Sequence, residues 1–137
     1  ETTIALIRNE TGEISQLKLN ADWVVLSACN TASSDGKPGA EGLSGLARAF
    51  FYAGARALMV SHWAVETNSS AALTTGVFAQ TGKGLSKAEA LRQSMLALMG
   101  RKDIPHADHP ALWAPFVVVG EGGEPQGNLA MSISFRP

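Results

Sequence analysis

One thiol dominates the chemistry available to this chain. Cys29, the only cysteine, stands in the run VVLSACNT at residues 24–31, just after the apolar stretch Val24, Val25 and Leu26. An apolar strand that stops at small and polar residues before a loop and a helix mounts its next side chains at the carboxyl edge of a sheet, where α/β proteins bind ligands. A thiol there can act as a nucleophile once ionised, and near its ordinary pKa of about 8.5 it needs an imidazolium or a helix N-terminus beside it. Against this stands the ordinary behaviour of free cysteine, which packs as a small buried hydrophobe. Three histidines could supply an imidazole. His62 follows a second apolar strand and falls on the same edge as Cys29 if the two strands run parallel about 5 Å apart. His106 and His109 flank Asp108 in HADH, a spacing with a faint look of metal ligation but without a thiolate or third ligand in reach.

The elements that must carry these residues follow from hydrophobic pattern and turn chemistry. Residues 2–8 read as a strand closed by a turn cluster, and residues 13–19 as a short helix or turn. Residues 23–28 are continuously apolar, as in a strand covered on both faces. Residues 30–41 (NTASSDGKPGAE) carry turn formers throughout and predict a surface loop leaving directly from Cys29. Leu43, Leu46, Ala47 and Phe50 recur at helical spacing, and Gly54 stands where a left-handed C-terminal residue is needed. Residues 57–61 (ALMVS) give the next strand, so a parallel strand-helix-strand crossover is expected. A helix over 67–80 ends before Gly82 and Gly84. A second opens at Ser86, where Glu89 completes a capping box and Ala88, Leu91, Met95 and Leu98 share a face. Residues 101–110 form a polar loop, 116–119 a further strand, and 129–135 a terminal strand whose alternation suggests a sheet edge.

Composition narrows the function classes. At 137 residues, 45% hydrophobic and 17% charged, the chain suits an α/β protein with its own core. A net charge of −1 and scattered lysines and arginines offer no field for nucleic acid. No apolar run approaches the roughly 18 residues of a membrane span. A lone cysteine forms no internal disulfide, which makes a cytoplasmic, reducing location the default. No phosphate-binding glycine loop is present, and no cofactor is implied. The opening at Glu1 without a methionine reads as a fragment of something larger.

Four blocks in order carry a family resemblance: VVLSACNTA at 24–32, EGLSGLARAFFYAGARALMVSHWAV at 41–65, LSKAEALRQSMLAL at 85–98 and HPALWAPFVVVGEG at 109–122. Together they resemble the C-terminal part of the CHAT domain, a caspase-like cysteine peptidase domain often attached to TPR repeats. The resemblance implies a three-layer caspase-like sandwich, a mostly parallel sheet between helices, incomplete on its N-terminal side. It makes Cys29 the nucleophile, whose backbone N–H is also a donor to the oxyanion. It places the partner histidine in a His-Gly pair before the cysteine strand, and no histidine precedes Cys29 here. The partner is therefore expected upstream, with His62 as a substitute base. Trp63 and its neighbours should wall the cleft. Glu66 either receives a basic substrate side chain or starts the next helix, where a carboxylate favours the positive end of the dipole. Asp35 and Glu41 line the pocket from the loop or only solvate it. The loop 30–40 is expected to gate the site or be cut during activation.

The resulting function is cysteine endopeptidase, with a peptide or protein substrate and an upstream TPR or other regulatory region as partners. The alternative is an inactive caspase-like regulatory or interaction module. A glutaminase of the amidotransferase type ranks last, since Thr31 stands where its elbow needs glycine.

Overall fold

A computed structural model describes residues 2–7, 16, 18–26, 43–123 and 130–135. Cys29, Asp35, Glu41 and the expected gating loop lie outside these residues, as does most of 13–19. Among the described residues, five strands form one sheet in the order β1-β5-β2-β3-β4: β1 (Thr2–Ile7), β2 (Trp23–Leu26), β3 (Ala57–Ser61), β4 (Phe116–Gly120) and β5 (Ala130–Phe135). All neighbours pair in parallel except β3 and β4, which are antiparallel. Among the described residues, helices α1 (Leu43–Tyr52), α2 (Thr67–Gly82) and α3 (Lys87–Met99) cover the sheet, with a 3₁₀ turn at Pro110–Leu112.

The three layers follow from how two uninterrupted apolar strands divide their side chains. Val24 and Leu26 of β2, with Leu58 and Val60 of β3, pack with Ala47, Ala49 and Phe50 of α1. The alternate residues Trp23, Val25, Ala57 and Met59 pack with Leu73 and Val77 of α2 and with Ala90, Leu91 and Leu98 of α3. Every residue of β2 and β3 is buried, because pleating sends successive side chains to opposite faces and both faces are covered. Trp23 also meets Phe78 edge-on, ring centres 5.7 Å apart.

The turn after α1 depends on one backbone conformation. Gly54 has φ +103°, and a Cβ built there would stand 1.9 Å from the Leu19 carbonyl oxygen. The Leu19 N–H donates to the Ala53 carbonyl and the Arg56 N–H to the Ala21 carbonyl, so the entry to β2 and the end of α1 are tied side by side.

Three details differ from expectation. The terminal strand β5 lies inside the sheet, between β1 and β2. Alternation in sequence reports the two faces of a strand, whereas an edge is defined by its neighbours in the hydrogen-bonding direction. Ala88 is exposed, and the inner face of α3 runs instead through Lys87, Ala90, Leu91, Ser94 and Leu98. Ser86 does accept from the Glu89 N–H, but the Glu89 carboxylate turns to Arg92 and Gln93.

Candidate functional site

Parallel pairing brings the chain exits to one edge. Val24 is in register with Leu58 and Val25 with Met59, while Leu26 faces Ile133 on the other side. Leu26, the last described residue before Cys29, thus ends β2 at the edge where Ser61 ends β3. Antiparallel β4 starts at this edge, with Phe116 opposite Ser61. Its lead-in, residues 106–115, therefore stands beside the β3 exit.

That exit carries three sequence-predicted site residues. His62 is exposed, and its backbone N–H donates to the Pro115 carbonyl at 3.0 Å. Trp63 is 42% exposed, and its indole N–H donates to the Ala111 carbonyl at 2.9 Å. Glu66 is the N-cap of α2: one carboxylate oxygen accepts from the Asn68 N–H at 2.8 Å, the other from the Ser69 N–H at 2.9 Å and the Ser69 hydroxyl. These donors stabilise the ionised form and hold its pKa below the usual carboxylate range, the Asn68 N–H contributing most. Glu66 does start the helix, as the capping alternative has it. Each carboxylate oxygen has two acceptor positions, so a further donor can still be received.

Glu66 also borders a groove of about 750 Å³ between α2 and the loop after α3, lined by Ala72, Arg101, Asp103, Ile104 and Leu112 among others. Arg101 and Asp103 close part of its rim as a two-pronged ion pair. That pairing pulls the Asp103 carboxyl down to about 2, chiefly through the Arg101 hydrogen bond.

The remaining histidines have structural positions. His106 adopts φ +57°, and its carbonyl accepts from the His109 N–H at 2.8 Å. His109 caps the 3₁₀ turn, its Nδ1 accepting from the Ala111 N–H at 3.2 Å. Among the described residues, no three His, Cys, Asp or Glu side chains are arranged to hold a metal ion. Sequence reasoning missed the tie between Trp63 and Ala111, which joins positions far apart in the chain. The His-Pro pair at 109–110 was the available signal for the turn, since proline suits the first position of a helical turn.

A largely parallel sheet between helix layers, with strand exits gathered at one edge, defines an α/β protein compatible with a partial caspase-like sandwich. The chain belongs to the CHAT domain family, which matches residues 10–121 and is caspase-like and peptidase-related. It is 31% identical over 108 residues to Tetratricopeptide repeat protein 28 of Mus musculus and to that of Homo sapiens. The match covers 79% of this chain and 4% of each relative, so the chain spans a small part of the length of these curated relatives. No solved structure matches it. Among the described residues, no helix is long and apolar enough to cross a membrane.

Proposed function

We propose that this chain carries the thiol half of a cysteine endopeptidase centre. Cys29 attacks a peptide carbonyl, its backbone N–H helps hold the oxyanion, and a histidine upstream of residue 1 protonates the leaving amine. His62 is the substitute base. Trp63, Glu66, Asp35 and Glu41 contact the peptide, Glu66 offering its charge to a basic side chain. Membership of the CHAT family over residues that include Cys29 is the observation that carries this reading. The parallel register of β2 and β3 supports it, since Leu26 and Ser61 end their strands at the same edge. A cytoplasmic, reducing location keeps the lone thiol free for this role. An upstream TPR region would present substrates or govern access, in keeping with the repeat named in the relatives.

The test is cleavage of a peptide library by the full-length parent protein. Wild type should cut, and Cys29→Ala and loss of the upstream histidine should each lower turnover at least about a thousandfold. An inert wild type, or an active Cys29→Ala protein, sinks the peptidase reading. The inactive interaction module is the second reading, supported by relatives named for a protein-binding repeat, and an inert protein that still captures a partner would establish it.

A further inference from the structure

The backbone of Ala111 is tied on both sides of its Cα. Its N–H is taken by His109 Nδ1 at 3.2 Å and its carbonyl by the Trp63 indole at 2.9 Å. The same short segment receives other ties. The Trp113 indole donates to the Asp108 carbonyl at 3.2 Å, the Leu112 N–H to the His109 carbonyl at 3.0 Å, and the His62 N–H to the Pro115 carbonyl. Residues 108–115 thus form a bracket standing behind the β3 exit, gripping both the backbone of His62 and the ring of Trp63. Within it, Pro110 has no N–H to give, and His109 supplies the side-chain acceptor that fixes the turn.

We propose that His109 is a positioning residue for Trp63, acting through Ala111: capping the turn aims the Ala111 carbonyl at the indole and sets the ring at the candidate cleft. The importance of the ring to a peptide rests on the endopeptidase reading, but the positioning itself does not. Trp63 is substantially exposed and is not wedged in place by the core, so a hydrogen bond to a rigid carbonyl is an effective way of choosing its orientation. An imidazole acceptor does this only in the tautomer that leaves Nδ1 unprotonated. Asparagine, a good helix-capping residue, presents an equivalent acceptor at a similar reach.

The experiment follows the indole N–H of Trp63 by NMR in the protein, its signal assigned by Trp63→Phe, and measures its solvent exchange. His109→Leu should speed exchange about tenfold, the scale of one lost hydrogen bond. His109→Asn should return it to near the wild-type rate, while the Trp23 indole signal stays unchanged in both. An unaltered Trp63 signal in His109→Leu overturns the proposal, as does equal disturbance in the Leu and Asn variants. Should His109→Leu fail to fold, His109→Ala replaces it with the same two outcomes. Turnover is not read, so an inert protein would sink the peptidase reading while leaving this result standing.

Discussion

Gly54 and Glu66 illustrate how single residues fix the geometry around the sheet edge. Gly54→Ala forces a Cβ into the Leu19 carbonyl at a backbone angle that disfavours side chains. It should destabilise the protein by about 2 kcal/mol or more, read as a lower urea midpoint at unchanged slope. A midpoint equal to wild type would show that the turn relaxes freely. Glu66 shows a different economy, in which one carboxylate caps α2 and still borders the groove. Its capping role was legible as one of two alternatives in the sequence, because a carboxylate ahead of Thr67, Asn68 and Ser69 suits a helix start. Its place on a groove was not, since the facing wall at Arg101 and Asp103 comes from a distant loop. His109 was opaque for the same reason: a cap is local, but what the capped turn holds is not.

At the scale of elements, α2 and α3 meet more closely than their apolar residues alone would permit. A Cβ at Gly76 would lie 3.1 Å from Ser94 Oγ, which donates to the Ala90 carbonyl within its own helix. Gly76→Val should therefore pry the pair apart at a cost of about 1–3 kcal/mol, despite valine being the better-packed residue in most cores. Unfolding at the wild-type midpoint would mean that the helices slide to accommodate it. The strands β2 and β3 were readable as doubly covered from continuous apolar runs, and α3 from Ser86 and its periodicity. The inner face of α3 was misread by one position at Ala88 because Lys87, a residue expected in solvent, is buried there. A long aliphatic stem allows this, and no hydropathy pattern signals it.

For the whole molecule, three carboxylates predict the acid limb of stability. Glu66, Glu89 and Asp103 all have folded pKa values below those of free side chains, Glu89 at about 2 through Arg92 and Asp103 at about 2 through Arg101. In the unfolded chain these groups take up protons at higher pH, so between the two ranges the unfolded state binds more protons. Their contribution is complete above the ordinary carboxylate range, from about pH 4.5 upward, and is lost as pH falls toward about 2. Denaturation midpoints should decline across that interval, and less steeply in high salt because the pairs are exposed. Midpoints that hold steady to pH 2 would contradict the assignment.

The position of β5 bears on how the molecule comes to be folded. Thr2 pairs with Ala130 and Ile7 with Phe135, while the other flank of β5 pairs with β2. Strand β1 therefore takes β5, the last described strand in chain order, as a sheet neighbour, and a long loop closure precedes their ladder. High contact order of this kind slows folding. During synthesis, the β2-α1-β3 unit can gather its own contacts early, whereas the β1–β5 ladder waits until residues 130–135 have left the ribosome.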